Sequence, residues 1–303
     1  MKPLFATVLI TLFFSCGQSK TASEESTIQT QKAPEFVNSF DFKPEPPVNG
    51  KLLGIIELGY SGFNSFIVKM DDQDRWSLEK ADYSESHVAE NEVTFNHVIS
   101  EIRRFKKDMI EYGVDPYDIN LVASSSAIKN KKVSRIASRL RSLNIGMITV
   151  NAEQEGTFAL FATVPRQMLE HSFMVDIGSG NTKVSWLQDG VPTTLETYGS
   201  KYFQQGTNDS VVSKSIKNLI AKVPEENKKM CFMVGKIPFL LATITDHRDG
   251  RYTVLEEPTR YQVTDIQEKS GLVIYEGIYE PNTMSYVFDW ESNFSIGVLM
   301  SVN

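Results

Sequence analysis

Two stretches of this chain share one construction: an apolar run that ends in a carboxylate, a turn containing glycine, and a second apolar run. The first is KLLGIIELGYSGFNSFIVKM, residues 51–70, and the second is SFMVDIGSGNTKVSWLQ, residues 172–188. A plain hairpin needs only two turn residues, commonly Asn-Gly or Asp-Gly. The turn Gly178-Ser179-Gly180-Asn181-Thr182 holds more glycine than that, and two side chains that can hydrogen-bond. Glycine lets backbone N–H groups approach a ligand closely, so a turn of this kind is able to wrap a phosphate.

The intervening chain alternates. Val98, Ile102, Phe105 and Met109 fall at helical spacing within residues 92–112, with Gly113 as the stop. INLVAS (119–124) reads as a buried strand. Val133, Ile136, Leu140 and Leu143 repeat the helical signal over 131–143, and GMITV (146–150) reads as a further strand. A helix is expected to begin near Asn151 or Ala152. After the second hairpin come a helix near 209–222 and the strand MCFMVG (230–235). Strand–helix–strand alternation implies a parallel sheet with crossovers. Because the pattern restarts, a duplicated α/β architecture is predicted, with two halves facing one another across a cleft. The 303 residues, 41% of them hydrophobic, suffice for one large domain or two medium ones.

The net charge of −7 gives no basic field, so nucleic acid is not an expected partner. A small anion remains compatible, because local backbone N–H groups bind it without net positive charge. The four histidines, His87, His97, His171 and His247, show no metal-ligand spacing. Cys231, in MCFMVG, has apolar neighbours and reads as core packing.

The N-terminus reads as a targeting segment. Lys2 precedes the apolar run LFATVLITLFF (4–14), which is of signal-peptide length and too short for an ordinary span. LFFSCG (12–17) resembles a bacterial lipobox, with bulkier residues at Phe13 and Phe14 than usual. Cleavage before Cys16 and lipid on its thiol are expected, and an ordinary secretory signal is the alternative. Residues 16–50, rich in Ser, Thr, Gln, Glu and Pro, read as a flexible tether. The expected organisation is a signal peptide (1–15), a lipidated tether (16–50), one lobe (51–163) and a second lobe (164–303). The location is expected to be a membrane-anchored lipoprotein, periplasmic or at the cell surface.

Four stretches, two of them within these hairpins, resemble the motifs of the exopolyphosphatase/guanosine pentaphosphate phosphohydrolase (Ppx/GppA) family, within the actin–hexokinase superfamily. ELGYSGFNSF (57–66) resembles a first phosphate loop, D-x-G-S-N-S-F, with Glu57 for the aspartate and about three residues inserted before Asn64-Ser65-Phe66. ASSSAIK (123–129) resembles ATSALR, with Lys129 for a phosphate-binding arginine. VNAEQEG (150–156) resembles ISGEEEA, whose last glutamate, the catalytic base, falls on Glu155. DIGSGNTK (176–183) resembles DIGGGSTE, with Lys183 for a glutamate. The expected later GGT reads Gly235-Lys236-Ile237 here. The resemblance covers most of residues 52–240. It implies a two-lobed actin-like ATPase fold, a ribonuclease H-like duplication.

The resemblance also implies roles. Gly178, Ser179, Gly180, Asn181 and Thr182 would cradle phosphate on one wall, and Gly59 to Ser65, with Asn64, on the other. Glu57 and Asp176 would hold magnesium, which prefers oxygen ligands. Glu155 would activate water. Lys129 would contact phosphate as a point charge. The bland alternatives are strand-end carboxylates in solvent for Glu57 and Asp176, an exposed first-turn charge for Glu155 and a solvated helix start for Lys129. Lys183 faces either solvent or the cleft, and YVFDWESNF (286–294) reads mainly as core.

Three functions follow. The first is a magnesium-assisted phosphohydrolase acting on polyphosphate or a guanosine pentaphosphate-like anhydride. The second is a catalytically degenerate module that binds phosphate or polyphosphate. The third is a sugar-kinase-like phosphotransferase, ranked last because nucleotide is scarce outside the cytoplasm. The partners expected are an anionic phosphorylated compound and a membrane reached through Cys16, with a homodimer allowed.

Overall fold

A computed structural model describes residues 40–60, 62–85, 94–142, 145–245, 248 and 250–303. The expected signal peptide, Cys16, His87, Leu143 and His247 lie outside the described residues. Among the described residues no helix is long and apolar enough to cross a membrane.

The first sheet contains β1 (Lys51–Leu58), β2 (Gly62–Met70), β3 (Trp76–Glu85), β4 (Ile119–Ala123) and β5 (Ile148–Thr149), in the order β3-β2-β1-β4-β5. The second contains β6 (Ser172–Ile177), β7 (Asn181–Gln188), β8 (Val191–Tyr198), β9 (Met230–Val234), β10 (Tyr252–Val254) and β11 (Ser285–Asp289), in the order β8-β7-β6-β9-β11-β10. Read from their edges, both sheets run third strand, second, first, fourth and then the last strand in chain order, β5 or β11. The first strand of each pairs antiparallel with the second and parallel with the fourth. The duplicated α/β architecture is therefore present. β10 is an added antiparallel edge on the second copy.

The helices start and stop where local chemistry allows. α1 (Phe95–Tyr112) is capped by Thr94, whose side chain accepts from the His97 N–H, and ends at Gly113, which takes the left-handed conformation (φ 115°). α4 (Ala152–Thr163) opens on a reciprocal capping box between Asn151 and Gln154, which places Glu155 in its first turn. α2 (Ser125–Ile128) and α3 (Lys131–Ser142) precede it. α5 (Asp209–Ile220), α6 (Lys236–Ile244), α7 (Ile266–Ile278) and α8 (Phe294–Val302) follow.

Several elements were not legible in sequence. β3 carries Glu79, Lys80 and Asp82 on an edge, so its hydrophobic alternation is weak. β5 is two residues rather than five, because it pairs only with Val122 and Ala123 at the edge of the sheet. The expected tether up to residue 50 is also too long. Phe40 packs edge-on to Phe232 (5.5 Å) and Tyr252 (5.1 Å), and the Val48 N–H donates to Asp71 at 2.8 Å. Phe40 and Phe42, both half-buried, draw its end onto the protein, since partial burial of each is worth ~1 kcal/mol.

One core cluster draws on both sheets. Leu53, Ile55 and Val68 share it with Met174, Phe232 and Val287, through Leu160 of α4 and Ile296 and Leu299 of α8. α4 and α8 cross at Gly297, where any β-carbon would overlap the Phe158 backbone. This crossing brings Glu155 and Ser295 to the ends of β1 and β6.

Candidate functional site

The two hairpins have the same register. Glu57 stands opposite Asn64 across β1 and β2, and Asp176 stands opposite Lys183 across β6 and β7. The Gly59 N–H donates to the Gly62 carbonyl at 2.8 Å, and the Gly178 N–H donates to the Asn181 carbonyl at 3.1 Å. The loops are thus equal in length. The insertion read before Asn64 is not an insertion relative to the second loop. Asn64 and Ser65 belong to β2, and the first turn runs from Gly59 to Gly62. Matching on the trailing Asn-Ser-Phe concealed this, because Phe63, not Phe66, stands at the position equivalent to Thr182.

At the centre, the Lys183 ammonium lies 2.7 Å from Glu155 Oε1 and 2.8 Å from Asp176 Oδ2, with 2% of its side chain exposed. Glu155 Oε2 accepts from the Ser125 N–H at 2.7 Å. Glu57 Oε2 accepts from Ser295 Oγ at 2.9 Å, and the Asn64 side chain also hydrogen-bonds Glu57. Glu57, Glu155 and Lys183 are all buried, so the solvent-exposed alternatives do not hold for them.

Burial sets the protonation of this cluster. It raises Glu57 to about 7, against the opposing hydrogen bonds from Ser295 and Asn64. It also raises Asp176, an effect the Lys183 charge partly offsets. Burial disfavours the Lys183 ammonium, yet Asp176 and Glu155 outweigh it and hold the amine above its ordinary range.

Further out, Asn181 Nδ2 donates to Ser125 Oγ at 3.2 Å and to Glu196 Oε2 at 2.8 Å. Lys129, 60% exposed, reaches both oxygens of Glu196 at 3.0 Å. A β-carbon on Gly180 would fall 2.7 Å from Ser126 Cβ and 3.1 Å from the Tyr60 ring, so the second loop sits directly against the first half of the molecule. Ser179 Oγ accepts from Gln267 of α7, and Thr182 Oγ1 and Asn181 Oδ1 are buried without a partner. Gly235 keeps a positive φ (100°), and a β-carbon there would meet Asp176 Oδ1 at 2.8 Å, so the residue opening α6 must stay small. A cavity of about 260 Å³ beside the second loop is lined by Lys129, Gly180, Asn181, Glu196 and Tyr198. Lys236 is exposed, and Tyr286, Phe288 and Phe294 are core.

Magnesium does not fit these residues as they stand. The two oxygens that converge, from Glu155 and Asp176, converge on an ammonium, and Glu57 is turned to Ser295. Among the described residues no group of three His, Cys, Asp or Glu side chains gathers as a metal shell. Glu196, Ser125 and Ser295 escaped the sequence analysis. A serine in an apolar helix and a glutamate on an edge strand carry no local signal, and only the fold brings them here.

No family model and no curated protein sequence matches the chain. Solved structures do. A Ppx/GppA family protein from Aquifex aeolicus is 16% identical with a TM-score of 0.61, covering 83% of this chain and 97% of that one. An exopolyphosphatase from Cytophaga hutchinsonii is 11% identical with a TM-score of 0.63, again covering 83% and 97%. An exopolyphosphatase-like protein is 15% identical with a TM-score of 0.59, covering 84% and 98%. The chain has the two-lobed, actin-like fold of the Ppx/GppA structures, and at these identities the likeness concerns fold alone.

Proposed function

We propose that this chain is a catalytically degenerate form of the Ppx/GppA fold, a lipid-anchored module that binds an anionic phosphorylated ligand rather than hydrolysing it. One observation carries the proposal: the Lys183 ammonium occupies the point where Glu155 and Asp176 converge. Hydrolysing a phosphoanhydride requires that the phosphoryl oxygens be held, the developing charge neutralised and a water oriented by a base. Both Glu155 oxygens are committed, one to Lys183 and one to the Ser125 N–H, so neither is directed at a water. Asp176 Oδ2 is also committed to Lys183.

Binding places fewer demands on the site. The rim keeps the glycine turn Gly178-Ser179-Gly180 and the exposed Lys129. The Lys129–Glu196 pair is solvent-facing, and such pairs are worth ~0–1 kcal/mol, so a phosphate group is able to displace Glu196. Support for the anchor is the apolar run 4–14 followed by Ser15-Cys16.

The test follows phosphate release from polyphosphate by the purified protein, with magnesium and with a chelator, beside its melting temperature. The expected result is no release in either condition and a melting temperature raised by polyphosphate, less so for Lys129→Ala. Magnesium-dependent release that Glu155→Gln abolishes would return the chain to the hydrolases. Neither release nor a thermal shift would refute the phosphorylated ligand. Incorporation of labelled fatty acid that is lost in Cys16→Ser tests the anchor.

A further inference from the structure

We infer that the Lys183 ammonium is a built-in cation that takes the place of a bound metal, so that the cleft neither binds nor requires a divalent ion. The inference rests on the geometry behind the reading above and names what holds that site together.

The duplication carries the argument. Each hairpin presents a carboxylate at the end of its first strand and a residue opposite it on the second, Glu57 with Asn64 and Asp176 with Lys183. Only the second copy places a charge there, and that charge is aimed at the other half of the cleft, at Glu155 on α4. Glu155 in turn accepts from the backbone of Ser125, at the start of α2. The ammonium therefore ties β6, β7 and α4 into one network, and through Glu155 it reaches the segment after β4.

Without a metal, Lys183 sets one positive charge against the two carboxylates of Glu155 and Asp176, which leaves a single net negative charge. The third carboxyl, Glu57, is satisfied by neutral donors, Ser295 and Asn64. A divalent ion entering this cluster would have to displace the ammonium, which has nowhere to go: its side chain is 2% exposed and hemmed in by the strands it joins. An octahedral magnesium ion also demands several oxygens at short range, and the convergence of two on a lysine leaves no room for it.

The experiment compares the chelator-treated protein with Lys183→Met, which keeps the stem and removes the charge. For the wild type, magnesium or manganese should leave the melting temperature unchanged and give no binding heat. For Lys183→Met, the melting temperature should fall in chelator and recover on adding either ion, because the Glu155 and Asp176 carboxylates then face one another unscreened. A metal-dependent shift in the wild type that Asp176→Asn removes would overturn the inference. So would a Lys183→Met variant that melts like the wild type and ignores metal. Should Lys183→Met fail to fold, the wild-type titration alone decides. Phosphate release in chelator would refute the non-hydrolytic reading and leave this inference standing, whereas magnesium-dependent release would refute both.

Discussion

Asp176 and Lys183 face one another across β6 and β7, at the register position where the first hairpin pairs Glu57 with Asn64. The duplicated fold thus sets two acidic strand ends side by side, and one copy supplies its own counter-charge. The consequences for stability are direct, because Glu57 and Lys183 are buried and Asp176 is largely shielded from water.

Glu155→Gln should cost stability. The amide oxygen still accepts from Ser125, but Lys183 loses one of its two carboxylate partners. Removing one member of a buried ion pair typically costs ~3–5 kcal/mol. Sharing Lys183 with Asp176 softens this, and the expected loss is ~2 kcal/mol by urea denaturation. A variant as stable as the wild type would show that the pair contributes nothing.

Glu57 should make the protein less stable as pH rises from about 4.5 to about 7. In this window the unfolded chain has released the Glu57 proton and the folded protein still holds it, so folding takes up a proton. The contribution is present below the ordinary carboxyl range and declines as pH climbs toward about 7. It is ~3 kcal/mol at most, at 1.36 kcal/mol per pH unit. Glu57→Gln should flatten this decline in a set of melting curves between pH 4.5 and 8. An unchanged slope would show that Glu57 is not protonated in the folded protein.

Gly297→Ala should destabilise through overlap rather than through lost flexibility. The added methyl meets the Phe158 backbone of α4, which cannot move without shifting Glu155. Overpacking of this kind costs ~1–3 kcal/mol. A lowered melting temperature is expected, and an unaffected one would mean that the two helices separate freely.

Phe40→Ala should lower stability by ~1 kcal/mol, since its ring is half-buried and full burial of a Phe side chain is worth ~2 kcal/mol. Its ring packs on Phe232 and Tyr252, and it joins the core that both sheets share. No change in the denaturation midpoint would restore residues 40–50 to the tether.

Much of the fold was legible because local signals sufficed. The spacing of Val98, Ile102, Phe105 and Met109 marks α1, and the same four residues are its buried face. The helix expected to begin near Asn151 or Ala152 starts at Ala152 with Asn151 as its cap, which sets Glu155 in its first turn. β8 and β3 were missed because edge strands mix polar and apolar residues on both faces. The register of the first loop was misread because a motif match has no knowledge of which residue pairs across the hairpin. Lys183 could be placed on a strand but not in an environment, since alternation says which residues share a face and not what that face meets.

The sequence by itself determined the duplicated strand–turn–strand plan, the buried strands and the acidic strand ends, because hydrophobic period and turn chemistry act over a few residues. Only the tertiary structure decided what those strand ends do. Glu155, Asp176 and Lys183 lie on three different elements, and Ser295 lies 238 positions from the Glu57 it binds. Their protonation and pairing depend on burial and on distances that no local stretch of chain encodes, and this is why a lysine that the sequence left facing either solvent or the cleft proves to sit at the centre of the cleft.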